Sequence, residues 1–194
     1  PRGRVMRLTP KTARSPMSIR YTSYPRTEPP PAFVDKVVGV FQEHRTDIST
    51  ETLAKGLTSD QVLNLLRQDL VQLGFEVEEG KRRAQKIQRP VFYGENGVPT
   101  VRYEVDAYNS EWQCGLEIEA GRAWMGNAVY RDLIQACVMV QVKYLVLAVP
   151  NAYKYLNAGR QAVSHDYENA IALAEALFGH SRFRLPYDLV VIGY

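Results

Sequence analysis

The sequence predicts an α/β protein, built on a mixed β-sheet with helices on its faces. Three observations carry that expectation. Helical and strand-like periodicities alternate from residue 58 to the end of the chain. Residues 103–121, "YEVDAYNSEWQCGLEIEAG", read as two short amphipathic strands around a polar turn, an antiparallel hairpin. Residues 144–149 and 189–192 are continuous apolar runs with a helical segment between them, which implies buried parallel strands joined by a crossover.

Each element has its own warrant. Residues 32–45 place Phe33, Val34, Val37, Val38, Val40 and Phe41 on a broad helical stripe. Residues 58–73 form the next helix: Thr58 and Gln61 have capping-box spacing, Val62, Leu65, Leu66, Leu70 and Leu73 keep helical period, and Gly74 ends it. Residues 75–78 alternate as a short strand. Residues 91–93, a "GENG" turn and residues 98–108 follow as a hairpin. Asn127 is placed to cap a helix over 128–142, apolar on almost every side and so expected to be buried. Pro150 stops the strand before it, and residues 150–169 read as a long loop. Residues 166–178 carry Asp166 and Glu168 in a first helical turn and Gly179 just past the end.

The 194 residues suffice for one domain, assigned to 32–194, preceded by an arm over 1–31. Composition, 45% apolar and 23% charged, is that of a soluble globular protein. The longest apolar run is too short to span a membrane, and no signal segment opens the chain. Cys114 and Cys137 lack metal-ligand spacing, which points to a reducing cytoplasm and away from structural zinc. The arm holds Arg2, Arg4, Arg7, Lys11, Arg14, Arg20 and Arg26 against Glu28 alone, and seven of the eleven prolines. Such a segment makes neither a long helix nor a central strand. It suits a polyanion such as DNA, or serves as a strap across the surface.

Two further segments have the side chains of nucleic-acid contact. "GKRRAQKIQRP" carries Lys81, Arg82, Arg83, Lys86 and Arg89 with no acid, a phosphate-contacting or simply solvated loop. The 150–169 loop carries Tyr153, Lys154, Tyr155, Asn157, Arg160 and Gln161, suited to base edges and phosphates or to an ordinary surface.

The hairpin concentrates acid. Strand alternation puts Tyr103, Val105 and Ala107 on one face and Arg102, Glu104, Asp106 and Tyr108 on the other. A turn centred between Glu111 and Trp112 sets Asp106 opposite Glu117 and Glu104 opposite Glu119. Like charges directly opposed destabilise a sheet, unless they share a proton or a cation. Either the face is solvated, with Arg102 and Arg122 relieving the repulsion, or it holds a divalent metal. Mg²⁺ takes hard oxygen ligands. Asp106 and Glu117 are then the ligands, with the Ile118 carbonyl a third and Glu119 placed to act on water or a second ion. Their carboxylates are expected roughly 4–6 Å apart. Glu104 is a candidate to support the site, as are Arg131 and Gln135, one helical turn apart, which otherwise form an ordinary polar seam. Asp69 is a candidate accessory acid or a solvent-facing residue.

"VDAY" at residues 105–108 and "LEIEAG" at 116–121 resemble the PD-(D/E)xK nuclease superfamily, which sets an acid on one strand and acid-x-lysine on the next. Glu119 stands at the lysine position. The E-x-E form is similar to restriction endonucleases of the BamHI and BglII kind, and "GNAVYRDLIQA", residues 126–136, resembles their following helix. The resemblance implies a restriction-endonuclease-like core with an antiparallel catalytic hairpin and later parallel strands. It also implies Mg²⁺-dependent hydrolysis of double-stranded DNA, with Asp106, Glu117 and Glu119 catalytic, and a homodimer. A repair or structure-specific nuclease of the same fold, and a non-catalytic nucleic-acid-binding protein, are the competing readings.

Overall fold

A six-stranded mixed sheet organises the chain, in a computed structural model that describes residues 19–50, 56–120 and 126–194. The arm residues Arg2, Arg4, Arg7, Lys11 and Arg14, and Arg122, lie outside the described residues. In chain order the elements are β1 (Arg20–Tyr24), α1 (Phe33–Glu43), α2 (Arg45–Ile48), α3 (Ser59–Gln72), β2 (Phe75–Val77), β3 (Ile87–Tyr93), β4 (Pro99–Val105), β5 (Ala107–Asn109) and β6 (Cys114–Ile118). Then come α4 (Ala128–Val138), β7 (Tyr144–Val149), β8 (Tyr153–Asn157), β9 (Arg160–Ser164), α5 (Asp166–Gly179) and β10 (Asp188–Gly193). The main sheet runs β1-β10-β7-β6-β5-β2. Its middle pairs, β10 with β7 and β7 with β6, are parallel, and the rest are antiparallel. This is the mixed sheet flanked by helices that the alternating periodicities predict.

Both faces are covered, so the central strands read as continuous apolar runs. Along β7, Val146 and Ala148 join α1 and α3 in one buried cluster with Val34, Val37, Phe41, Leu63, Leu66 and Leu70. Leu145, Leu147 and Val149 point the other way, into a cluster with Val129 and Leu133 of α4 and Tyr167, Ala170 and Ala174 of α5. The expected start of α3 is realised. Thr58 accepts from the Gln61 amide, and the Gln61 side chain accepts from the Thr58 amide. Gly74 follows the helix at φ +88°, a left-handed turn that suits glycine.

Four local expectations are corrected. First, residues 98–108 are not one strand. The chain bends at Asp106, β4 leaves the sheet to pair with β3, and only β5 continues in it. The bend breaks the alternation, so Val105 packs in the α4/α5 cluster and Ala107 in the α1/α3 cluster. Second, the helix after Asn127 stops at Val138, and Asn127 sits in the left-handed region without a side-chain cap. Third, α4 is buried on one side only. Tyr130, Ile134 and Val138 are exposed at 41%, 64% and 40%, a stripe at four-residue spacing. One face suffices to cover the sheet. Fourth, residues 150–169 contain the hairpin β8–β9, turned at Ala158 and Gly159, both at positive φ. Leu156 and Val163 are solvent-exposed, so no buried face advertised it.

Residues 20–24 of the basic arm form edge strand β1, pairing with β10 from Arg20↔Gly193 to Tyr24↔Leu189. Arg20 reaches Asn151 Oδ1 at 2.7 Å and Glu168 at 2.8 Å. No described helix is long and apolar enough to cross a membrane.

Gly193 closes this corner tightly. A Cβ there would meet Tyr167 ring carbons at 2.6 and 2.8 Å, as well as the Asn151 side chain. Gly193→Ala is expected to lower folding stability by about 1–3 kcal/mol, as overpacking does. Urea unfolding checks this, and an unchanged midpoint would show that the corner yields freely.

Candidate active site

Asp106 stands at the junction of two hairpins. In β5–β6 the last rung is Ala107↔Leu116, so the next step sets Asp106 beside Glu117. In β3–β4 the last rung is Ile87↔Val105, so the next step sets Asp106 beside Lys86. The bend turns the Asp106 carboxylate back onto β6, where Oδ2 accepts the Ile118 amide at 2.8 Å. Ile118 thus touches Asp106 through its N–H.

A cavity of about 440 Å³ opens here. It is lined by Glu78, Lys86, Glu104, Asp106, Glu117, Arg131, Asp132 and Gln135, among others. Asp106 and Glu117 therefore share one cavity, as do the support candidates Glu104, Arg131 and Gln135. Glu119 stands at its border through Arg131, whose guanidinium donates to Glu119 Oε1 at 3.1 Å and to Asp132 Oδ1 at 2.8 Å. The Glu119 backbone is fixed on both sides. Its amide donates to the Ala148 carbonyl, and its carbonyl accepts the buried Tyr194 hydroxyl at 2.8 Å. Glu104 does not oppose Glu119, because β4 has left the sheet. It is half-exposed and 4.0 Å from Lys86 Nζ.

Two buried acids were not singled out as site residues from the sequence. Glu78, just past β2, is 6% exposed. Its amide donates to the Asp106 carbonyl at 2.9 Å, and its own carbonyl is held by Arg67 of α3. Asp132 of α4 is 1% exposed, and among the described residues its Oδ2 has no hydrogen-bond partner. The "Arg-Asp-Leu" in the helix after the hairpin was the available signal for Asp132. A buried Glu at the end of a three-residue strand leaves none.

Crowded acids in a dry place resist ionisation. The Asp106 carboxyl is pushed up to about 7, first by burial, then by Glu78 and Asp132, against the Ile118 amide and Lys86. Glu117 lies well above the ordinary carboxylate range through burial and the charges of Asp106, Asp132 and Glu119. Glu119 is pushed up to about 8 by burial and by Asp132, with Arg131 opposing. Burial also raises Asp132, against Arg131.

The basic run divides. Lys81, Arg82 and Arg83 are exposed, Lys81 lying 3.3 Å from Asp60. Arg89 is committed to Glu76 at 2.8 Å and lies over the Tyr108 ring at 4.0 Å. Lys86 turns into the cavity and donates to Glu78 Oε2 at 2.7 Å. Lys154 is half-buried in β8 and Arg160 exposed at the start of β9. Asp69 bonds His44 at 2.6 Å and does not line the cavity.

Neither protein-family models nor curated proteins match the chain. A solved structure does. The chain is similar to restriction endonuclease BglII, seen in complex with a DNA 16-mer, at TM-score 0.51 and 11% identity, over 91% of this chain and 76% of that one. The fold is restriction-endonuclease-like.

The donor set fits a hard cation. All the acids offer oxygen, they are short of positive charge, and among the described residues Asp132 leaves a buried oxygen unmatched. Among the described residues no group of three or more His, Cys, Asp or Glu is arranged to hold a metal ion. A pair of carboxylates is the usual protein share for Mg²⁺, with water and phosphate completing the octahedron.

The raised Asp106 value has a stability consequence. Between its ordinary 3.8 and about 7 the folded protein keeps a proton that the unfolded chain has lost. Stability therefore falls as pH rises through that window and stays reduced above it. Asp106→Asn removes this cost while keeping an acceptor for the Ile118 amide. It is expected to unfold at higher urea than the wild type at pH 8, with the difference closing near pH 4. A variant no more stable at pH 8 would contradict the buried-charge account.

Proposed function

We propose that this chain is a Mg²⁺-dependent endonuclease that hydrolyses phosphodiester bonds of double-stranded DNA, a sequence-specific enzyme of restriction type acting as a homodimer. The observation that carries the reading is the convergence of Asp106 and Glu117 on one cavity at the bend of an acidic hairpin, within a restriction-endonuclease-like fold. The neighbour of that fold was solved on DNA, which supports DNA as the partner here. The exposed stripe Tyr130, Ile134 and Val138 on α4 supports a second copy as the other partner.

Asp106 and Glu117 hold the metal in this reading. Bound Mg²⁺ neutralises charge on the phosphate and makes water more acidic. Glu119 takes the proton from the attacking water. A carboxylate raised towards neutrality suits that role, since a base works best with its pKa near the operating pH. Arg131 fixes the direction of Glu119 and ties it to Asp132. The exposed Lys81, Arg82 and Arg83, and Arg160 at the β8–β9 turn, contact phosphates, with Lys154 on the same hairpin as Arg160. Lys86 and Arg89 are held by acids and serve the site and its frame instead.

Incubating plasmid DNA with the protein and Mg²⁺ tests the reading. Discrete fragments are expected, abolished by chelation. Random nicks would favour a repair or structure-specific nuclease, and no cleavage would favour a non-catalytic binding protein. Glu119→Gln keeps the shape and is expected to slow cleavage at least about 10²-fold with DNA affinity unchanged. Full activity in that variant would make Glu119 a bystander.

A further inference from the structure

The acidic cavity has a basic neighbour. A second cavity, of about 350 Å³, opens on the β3–β4 hairpin and is lined by Arg83, Gln88, Pro99, Thr100, Val101 and Arg102. Gln88 and Arg102 line both cavities, so the two adjoin. Their charge differs in sign. Glu78, Glu104, Asp106, Glu117 and Asp132 line the first, and among the described residues no acid lines the second. The state of their bases differs too. Lys86 and Arg131, in the first, are paired with acids. The side chains of Arg83 and Arg102 have no ion-pair or hydrogen-bond partner among the described residues.

Acids gathered for a cation repel the rest of a DNA backbone, which carries a phosphate about every 3.4 Å of axis on each strand. Something must hold the flanking phosphates against that repulsion. Arg102 lies four residues before Asp106 along β4, about 13 Å on an extended strand. That is the axial rise of about four nucleotides. A guanidinium fork matches the oxygens of a phosphate, and the Gln88 amide is a further donor type for the same group. We propose that the basic cavity is a second phosphate site, in which Arg83 and Arg102 together grip one uncleaved backbone phosphate of the strand that enters the acidic cavity. The inference rests on the nuclease reading above and deepens it. It joins Arg83, from the basic run, to Arg102, from the acidic hairpin strand, on a single ligand.

The salt dependence of DNA binding tests this. Affinity for a labelled duplex of random sequence is measured by fluorescence anisotropy over a range of salt, with Ca²⁺ in place of Mg²⁺ so that the acids keep a hard cation. Arg83→Gln and Arg102→Gln are each expected to weaken binding. The double variant is expected to lower the slope of log affinity against log salt by about 0.9, the worth of one phosphate. Arg102→Lys keeps the charge and loses the fork, so it is expected to weaken binding while the slope stays. Arg182→Gln removes an exposed charge that lines neither cavity and is expected to leave the slope as it is. An unchanged slope in the double variant, a drop of about 1.8 that assigns the arginines to separate phosphates, or an equal drop in Arg182→Gln would each overturn the proposal. Plasmid cleavage is read separately. A wild type that binds duplex and cuts nothing ends the nuclease reading, and the slopes still decide whether the two arginines share a phosphate. A wild type that binds no duplex overturns both.

Discussion

Like charges buried around the bend at Asp106 constrain everything near them. Glu78, Glu117 and Asp132 are each more than nine-tenths buried, and all line one cavity with Asp106. Such buried groups resist ionising together without nearby positive charge. Two bases answer from opposite sides: Lys86 on Glu78, and Arg131 across Glu119 and Asp132. Burial first, and the neighbouring acids after it, push the Asp106 carboxyl up to about 7 and that of Glu119 up to about 8. This electrostatic character suits the divalent cation proposed here.

The scaffold's task is to hold those acids together against their repulsion. It does so largely through hydrogen bonds of the backbone amides and carbonyls. The Glu78 amide is tied to the Asp106 carbonyl, the Ile118 amide to the Asp106 carboxylate, and the Glu119 amide to β7. Further out, Arg67 of α3 holds the Glu78 carbonyl, Ser59 at the start of α3 accepts the Ala120 amide, and Tyr194 grips the Glu119 carbonyl. The β6–β7–β10 core, buried on both faces, makes this frame stiff.

Much of this was legible in the chain. The apolar runs of β7 and β10 announced strands buried on both faces, and the turn position between Glu111 and Trp112 matches the observed pairs Ala107↔Leu116, Tyr108↔Gly115 and Asn109↔Cys114. What stayed hidden depends on tertiary context. The bend at Asp106 has no glycine or proline to mark it, and it arises because β3 takes β4 out of the sheet. Glu78 and Lys86 are far apart in pattern, one after a short strand and one within a basic run, and only the meeting of two hairpins makes them a pair. Asp132 stands in the Arg-Asp-Leu after the hairpin, but only the packing of α4 shows that its side chain is buried at the cavity. The β8–β9 hairpin lacks a buried face, so the periodicity that reveals other strands is absent from it.

In the proposed nuclease the acids of the cavity hold protons that a divalent cation would displace. Proton release on Mg²⁺ binding tests it most directly. Calorimetric titration of the DNA-free protein at pH 7, repeated in buffers of different ionisation enthalpy, counts the protons expelled per ion. The account predicts release of about one proton per Mg²⁺, lost in the Glu117→Gln protein, because cation and proton compete for the same oxygens. Binding with no proton release, or no binding at all, would contradict it.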